Sequence, residues 1–202
     1  MARQASLIDA AAIVEGFRYQ PGFLDASEEA ALLEEIRGLE FHEMRMRGVT
    51  ARRRVIQYGW NYSFQNFKMT EGPPLPAFLL PVRERAAAFA GLDTSALSEG
   101  LLMEYSPGAA IGWHRDAPPF GDVVGISLLS GCRFRFRRGK VRVWEARELP
   151  LEPRSAYVLR GPARQEWEHS IPPVKELRYS ITFRTLKCHR LVGLTHDRRG
   201  RR

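Results

Sequence analysis

The chain has 202 residues, of which 44% are hydrophobic and 27% charged, a composition typical of one soluble globular domain with a sizeable core. We expect no membrane span, no signal peptide and, with only two cysteines, no disulfide framework, so a cytoplasmic location is predicted. The formal net charge of +8 favours a polyanionic partner such as nucleic acid without proving one.

Two helices are predicted in the first half of the chain. Asp25 and Glu28 have the spacing of a capping box. Apolar residues follow at helical spacing, so residues 26–40 should form an amphipathic helix. Residues 76–90 begin with proline and are followed by Gly91, a pattern that predicts a second helix.

The segment between these helices, residues 45–67, is rich in arginine and aromatic residues and predicts strands and loops of a substrate-binding lid. Basic residues beside aromatics are typical of surfaces that follow a nucleic-acid backbone and stack on its bases. Because the aromatics alternate up to Phe64, they could equally line one buried face of a strand, and both interpretations stay open. The candidate substrate-binding residues are Arg52, Arg54, Tyr58, Trp60 and Tyr62.

From Leu101 onward the sequence changes to short strands separated by turn residues. Phe134 and Phe136 alternate with arginines, which is the two-residue period of a half-buried strand. Two helices followed by many short strands predict an α+β protein built on an antiparallel sandwich or barrel, of which the jelly roll is one version. The predicted strands cover residues 101–105, 123–129, 132–138, 141–146, 155–160 and 178–186.

A candidate metal site begins with His114 and Asp116. One residue separates them, so in an extended segment both side chains point to the same side and can reach one ion. His169, just ahead of a predicted strand, is the candidate third ligand. Two histidines and one carboxylate match the facial triad of non-haem Fe(II) enzymes, which leaves positions open for a bidentate cosubstrate and O2. By itself, such a His/Asp pair is more often a hydrogen-bonded pair in a loop.

The last predicted strand adds a second pattern. Its polar residues share one face, and Tyr179, Ile181 and Phe183 share the other. If the polar face lines a barrel lumen, its two arginines need buried anions, and a dicarboxylate meets that need through charge-assisted hydrogen bonds. The alternative is a solvent-facing strand with two surface arginines. The residues of the polar face are Arg178, Ser180, Thr182 and Arg184.

Taken in order, these motifs resemble the AlkB family of Fe(II)- and 2-oxoglutarate-dependent dioxygenases over roughly residues 50–186. The segment Met103 to Gly108 is similar to the family's Asn-x-Tyr-x-Pro-Gly motif. The resemblance implies a double-stranded β-helix (jelly-roll) core at about 98–188 within a single domain of residues 1–192, followed by a basic tail at 193–202. The motif residues are His114-x-Asp116, His169 and Arg178-x-Ser180-x-Thr182-Phe183-Arg184.

The resemblance also implies the chemistry and its residues. Fe(II) would be bound by His114, Asp116 and His169, which are also the predicted catalytic residues. With 2-oxoglutarate and O2 as cosubstrates, such enzymes remove N-alkyl groups from nucleic-acid bases and release aldehyde, succinate and CO2. The base must be single-stranded or flipped out of a duplex. The cosubstrate would be bound by Tyr105 and Arg178 at its distal carboxylate, by Ser180, and by Arg184 near the metal-chelating end.

The chain departs from the family's pattern at three positions. Met103 and Ser180 stand where asparagine is common, which weakens individual cosubstrate contacts. Pro118 stands where some repair members have an acidic residue that reads the damaged base. A 2-oxoglutarate dioxygenase acting on a protein or a small molecule therefore stays open as the alternative, whereas the complete set of motifs argues against a cupin-like module without turnover. The oligomeric state is open, with a monomer as the default.

Overall fold

The computed structural model describes residues 13–46, 49–63 and 66–187. Within them it has three α-helices, α1 (Ala26–Arg37), α2 (Leu80–Ala90) and α3 (Gly161–Gln165). The strands that the description includes are β1 (Phe17–Gln20), β2 (His42–Met46), β3 (Val49–Tyr58), β4 (Trp60–Tyr62), β5 (Met69–Glu71), β6 (Leu97–Tyr105), β7 (Ile111–His114), β8 (Phe120–Leu128), β9 (Cys132–Lys140), β10 (Val143–Leu151), β11 (Ala156–Leu159), β12 (Glu168–Ile171) and β13 (Arg178–Leu186).

Both predicted helices are confirmed, with their termini where the capping residues place them. The Asp25 carboxylate accepts from the Glu28 amide at 2.8 Å, and the Glu28 carboxylate accepts from the Asp25 amide at 2.8 Å. Helix α1 ends at Arg37, three residues earlier than expected, because Gly38 caps it. The first turn of the second helix is a 3₁₀ turn, and Gly91 ends α2 in the left-handed conformation at φ 67°.

Two antiparallel sheets form the body of the protein. The larger has seven strands in the order β1-β11-β8-β13-β6-β3-β2, and the smaller has four in the order β10-β9-β12-β7. One apolar cluster contains residues from both sheets, among them Leu101 from β6 and Phe134 and Phe136 from β9, so the sheets pack face to face. The predicted α+β fold with a jelly-roll core is confirmed. In the described residues, no helix is both long and apolar enough to cross a membrane.

Strand β13 separates the two cores of the molecule. Tyr179, Ile181 and Phe183 pack with the helices in one apolar cluster. The opposite face, which begins at Arg178, is buried in the lumen between the sheets. The solvent-facing alternative for this strand is therefore wrong, and its polar row needs partners inside the lumen.

Strand β3 also has two faces, and it ends abruptly. Arg53 and Gln57 point into the lumen, whereas Tyr58 belongs to the helix-side core. Gly59 then turns the chain at φ 76°, where a side chain would put its Cβ 2.1 Å from the carbonyl oxygen of Ser98. The expected alternation of Tyr58, Trp60 and Tyr62 along one strand face is wrong because this turn breaks the strand.

Several shorter features were not predicted. Helix α3 and strand β7 are new, and His169 lies inside β12 rather than ahead of a strand. These elements have only four or five residues, which is too short for a hydrophobic period to be recognised. Phe64 and the basic tail at 193–202 lie outside the described residues.

Candidate active site

The three predicted metal ligands meet at one end of the lumen. His114 is the last residue of β7, and its backbone pairs directly with His169 of β12, so the two imidazole centroids lie 4.2 Å apart. Asp116 follows two residues after β7 ends, with its Oδ2 3.6 Å from His169 Nε2. All three side chains line the same cavity. The antiparallel pairing of β7 and β12 is therefore what joins the distant histidine to the His/Asp pair.

Both histidines are held as neutral imidazoles. Burial lowers the pKa of His114, whose Nδ1 lies 2.9 Å from the Gly112 carbonyl oxygen. An Nδ1–H that donates to this carbonyl leaves Nε2 with its lone pair for an ion. Burial, together with the nearby His114, lowers the pKa of His169 to about 3. Neutral imidazole is the form that binds a metal ion.

Only one of the two carboxylate oxygens of Asp116 accepts a hydrogen bond. Its Oδ1 accepts a hydrogen bond from Arg184 Nε at 2.8 Å and forms an ion pair with Arg184 Nη2 at 2.7 Å. Its Oδ2 is buried without a hydrogen-bond partner. Burial works to raise the pKa of Asp116, but Arg184, His169 and His114 outweigh it and hold that pKa well below its usual range. A buried, ionised oxygen with no donor is costly unless a cation bonds to it, so this site fits a metal ion.

The donor atoms of these three side chains are not positioned at metal-coordination geometry in this structure. Within the part of the chain that the structure describes, no three histidine, cysteine, aspartate or glutamate side chains are already arranged to hold an ion. His114, Asp116 and His169 are neighbours whose donors would still have to close around it. Their chemistry, two neutral imidazoles and one carboxylate, is that of a non-haem Fe(II) site with open positions.

Arg184 joins this site to a residue that sequence reasoning missed. Its Nη1 donates to both carboxylate oxygens of Glu99, at 2.9 and 2.8 Å, and Glu99 is 0% exposed. Burial works to lower the pKa of Arg184, but Glu99 and Asp116 raise it above the ordinary arginine value. Arg184 therefore remains charged and already has two carboxylate partners. No local pattern marks Glu99, because its importance depends on the register between β6 and β13.

The other end of the lumen contains a guanidinium without a carboxylate partner. Arg178 is 1% exposed, its Nη2 donates to Ser127 Oγ at 3.1 Å, and it lies 4.9 Å from the Tyr105 ring centroid. Its Nε and Nη1 have no hydrogen-bond partner. Tyr105 is also buried, and its hydroxyl donates to the Met103 sulfur at 3.3 Å. Ser180 is buried two residues farther along β13, on the same strand face as Arg178. This end fits an anionic oxygen group such as a carboxylate.

A second arginine near this end was also missed. Backbone pairing aligns Arg53 of β3 with Tyr105 of β6, and Tyr105 in turn with Arg178 of β13. Arg53 is 8% exposed and lines the cavity. Its neighbours Arg52 and Arg54 were predicted instead, but Arg52 is exposed and Arg54 forms a 2.7 Å ion pair with Glu104 on the other sheet face. Because successive residues of a strand face opposite sides, Arg52 and Arg54 share the face opposite to that of Arg53.

Of the predicted lid aromatics that the structure describes, one reaches the cavity. Tyr62 lines the cavity. Trp60 is half-buried in the β4–β5 hairpin, and Tyr58 is buried in the helix-side core. Tyr58 is therefore a core residue in this structure, and Tyr62 is the aromatic that could contact a substrate base.

Comparison with known proteins identifies relatives of this chain. The family model described as the 2OG-Fe(II) oxygenase superfamily matches residues 16–191. The "Alkylated DNA repair protein ALKBH8 homolog" of Arabidopsis thaliana is 29% identical over 220 residues, covering 91% of this chain and 62% of that protein. The mouse "Alpha-ketoglutarate-dependent dioxygenase alkB homolog 7, mitochondrial" is 34% identical over 156 residues, which cover 75% of this chain and 65% of the mouse protein. The chain thus spans slightly less than two thirds of both relatives.

Solved structures show the same fold. "The structure of OsALKBH1" superimposes with a TM-score of 0.66 over 84% of this chain and 96% of that chain, at 16% identity. An oxidoreductase of the 2OG-Fe(II) oxygenase family from Burkholderia pseudomallei gives 0.63 over 92% of this chain and 93% of that chain, also at 16% identity. At this identity the likeness concerns the fold alone.

Proposed function

Because this chain belongs to the 2OG-Fe(II) oxygenase superfamily and is AlkB-like, we propose that it removes N-alkyl groups from nucleic-acid bases. The family uses Fe(II), 2-oxoglutarate and O2, and the products here would be aldehyde, succinate and CO2. One observation carries the proposal. A partnerless buried carboxylate oxygen on Asp116 and a buried guanidinium without a carboxylate partner on Arg178 belong to the same lumen. A metal ion and a diacid together satisfy both groups.

The protein's own residues have distinct roles in this proposal. His114, Asp116 and His169 would hold the iron, and Arg178 with Tyr105 would hold the far carboxylate of 2-oxoglutarate. Arg184 donates to Asp116 Oδ1, which directs Oδ2 toward the ligand position. When bound, iron and 2-oxoglutarate would activate O2 as the oxidant of the N-alkyl carbon. The apolar walls of the lumen, including Phe120 and Phe134, keep bulk water from the reacting groups.

A nucleic-acid substrate is supported by charge and by one aromatic side chain. The formal net charge of +8 favours a polyanion. Tyr62 lines the cavity, where its ring could stack on an extruded base. The printed name of the Arabidopsis relative refers to repair of alkylated DNA, which agrees with this substrate class. A single strand or a flipped base is required, because a base inside a duplex cannot enter the lumen.

The decisive experiment incubates the purified chain with Fe(II), 2-oxoglutarate and a panel of methylated DNA and RNA oligonucleotides. Succinate formation and loss of the methyl group are measured together by mass spectrometry, with a chelator as the negative control. We expect both products in equal amounts for at least one lesion. Absence of succinate under every condition would contradict the enzymatic proposal as a whole.

A matched pair of variants tests the substrate contact. Tyr62→Ala should raise KM for the oligonucleotide about tenfold with little change in kcat, since loss of stacking costs about 1–3 kcal/mol per base. Trp60→Ala, on the same hairpin but absent from the cavity lining, is the control and should have a smaller effect. Equal KM values for both variants would show that Tyr62 does not contact the substrate.

The second candidate is oxidation of a protein or a small molecule. Pro118 favours it because this position lacks an acidic side chain to read a damaged base. Arg54 also favours it, since Glu104 already neutralises that lid cation. Succinate formation without demethylation of any oligonucleotide would support this candidate. A cytoplasmic location and a monomeric state are proposed as well, to be tested by cell fractionation and sedimentation.

A further inference from the structure

Tyr157 of β11 is a lumen residue that the roles above do not use. It lines the cavity at 9% exposure, and its ring centroid lies 5.0 Å from that of Phe134 and 6.1 Å from that of Phe17. Aromatic packing therefore holds the ring. Its hydroxyl, unlike that of Tyr105, makes no hydrogen bond to any residue that the structure describes. A tyrosine hydroxyl that lines a cavity without a protein partner is available to a group bound there.

Gly125 of β8 supplies the space for this hydroxyl. Gly125 is the backbone partner of Tyr157, and a Cβ added to it would lie 2.2 Å from Tyr157 Cζ and 2.4 Å from the hydroxyl oxygen. The glycine is not among the residues with a positive φ, so its backbone does not require glycine. What the position requires is room, which lets the phenol end of Tyr157 lie across the lumen wall.

The hydroxyl lies between the two ends of the lumen. Gly125 pairs with Thr182 of β13, which falls between Arg178 and Arg184 on the same strand face. Both of those arginines and Asp116 are close enough to influence the pKa of Tyr157. Thr182 Oγ1, at the same level of the strand, is buried without a hydrogen-bond partner. Thr182 and Tyr157 thus place hydroxyls between the proposed metal end and the proposed carboxylate end.

The Tyr157 hydroxyl is available as a donor. Burial, reinforced by the negative charge of Asp116, raises its pKa above the ordinary tyrosine value, so it keeps its proton. A protonated phenol in an apolar lumen needs an oxygen or nitrogen acceptor. A diacid bound between Arg178 and the metal ligands would bring oxygen acceptors to this level.

We infer that the Tyr157 hydroxyl donates a hydrogen bond to the bound diacid, and that the missing side chain of Gly125 makes this contact possible. The inference rests on the proposed function for the identity of the diacid as 2-oxoglutarate. Tyr157 is then a cosubstrate-binding residue in addition to Tyr105 and Arg178. The alternative is a core tyrosine whose hydroxyl contacts only water in the cavity.

The first test is Tyr157→Phe, which removes the hydroxyl and keeps the ring. The full chain with Mn(II), which prevents turnover, is titrated with 2-oxoglutarate by calorimetry. We expect the Kd to rise about tenfold to a hundredfold, the value of a hydrogen bond to a charged group. Tyr179→Phe is the matched control, because its hydroxyl donates to Glu104 at 3.2 Å outside the cavity. This control should leave the Kd unchanged, and circular dichroism verifies that both variants are folded.

The second test is Gly125→Ala, whose methyl group should displace the Tyr157 phenol. It should weaken 2-oxoglutarate binding in the wild-type background and much less in the Tyr157→Phe background, because the two positions act on one contact. Additive effects would show that Gly125 does not act through the hydroxyl and would overturn that part of the inference.

The outcomes separate this inference from the proposed function. An unchanged Kd for Tyr157→Phe overturns the inference and leaves the function intact. A weakened Kd in a protein that demethylates no oligonucleotide supports the inference and overturns only the nucleic-acid substrate. A wild-type chain that does not bind 2-oxoglutarate overturns both.

Discussion

Arg178 and Arg184 lie on the same buried face of β13, yet the two ends of the lumen surround them in opposite ways. Arg184 donates to two protein carboxylates, Asp116 and Glu99. Arg178 has one hydroxyl acceptor, Ser127, and two nitrogens without a partner. Identical residues in one alternating pattern therefore have different tasks. Arg184 orients a metal ligand, whereas Arg178 is left for an anion that the protein does not supply.

Energetics explain why this difference matters. Removing a charge from water costs several kcal/mol, and a well-placed counterion repays it. For Arg184 the counterions are carboxylates of the protein itself, so their attraction contributes to the stability of the fold. For Arg178 the desolvation free energy is only partly compensated within the protein, and an anionic ligand would compensate the rest on binding. Four substitutions test this contrast.

Asp116→Ala should have the largest effect, reducing succinate formation to background. The change removes the proposed carboxylate ligand and one of the two partners of Arg184. Succinate assays and Co(II) titration followed by absorbance measure the two consequences. Asp122→Ala is the control, because Asp122 pairs with Arg160 away from the metal ligands. Full activity of Asp116→Ala would show that the metal assignment is wrong.

Arg184→Met should lower the free energy of unfolding by about 3–5 kcal/mol, since it leaves Glu99 buried without a counterion. Urea denaturation measures the loss. Arg133→Met breaks an exposed ion pair with Glu148 and should cost less than about 1 kcal/mol. Similar losses in both variants would mean that the buried pair is not a structural contact.

Arg178→Met should change stability in the opposite direction, raising the free energy of unfolding of the ligand-free chain by about 1–3 kcal/mol as an incompletely paired buried charge is removed. The wild type should gain about 2.7 kcal/mol at a 2-oxoglutarate concentration of about 100 times Kd, and the variant nothing. Melting curves with and without 2-oxoglutarate test both statements. If Arg178→Met destabilises the chain as much as Arg184→Met does, the contrast between the two ends collapses.

Glu99→Gln should have the smallest effect, lowering the free energy of unfolding by about 1–2 kcal/mol. The amide keeps the shape and one hydrogen bond to Arg184 and loses only the charge. Turnover should persist, unlike in Asp116→Ala, because Glu99 contacts Arg184 and is not one of the proposed ligands. Glu104→Gln, on the outer face of β6 beside Arg54, is the control. Loss of turnover in Glu99→Gln would place Glu99 among the residues that act directly in the reaction.

The site was predictable where the chemistry is local. One residue separates His114 from Asp116, and β13 alternates over its whole length, so the two-residue period of extended backbone assigned their faces correctly. The lid was less predictable. Three consecutive arginines and a row of aromatics contain no signal for which members face inward. The register of β3 and the turn at Gly59 decided that Arg53 and Tyr62 reach the cavity and that Tyr58 does not.

The amino-acid sequence predicts the two helices, the strand-rich second half, the candidate ligands and the polar face of β13, because capping, hydrophobic period and alternation are properties of neighbouring residues. Which buried charges have partners can be seen only in the folded structure. Glu99, Ser127 and Gly125 are ordinary residues in their own segments, and they become significant only beside Arg184, Arg178 and Tyr157. Strand pairing brings these residues together, and the energy of a buried charge depends on what strand pairing places next to it.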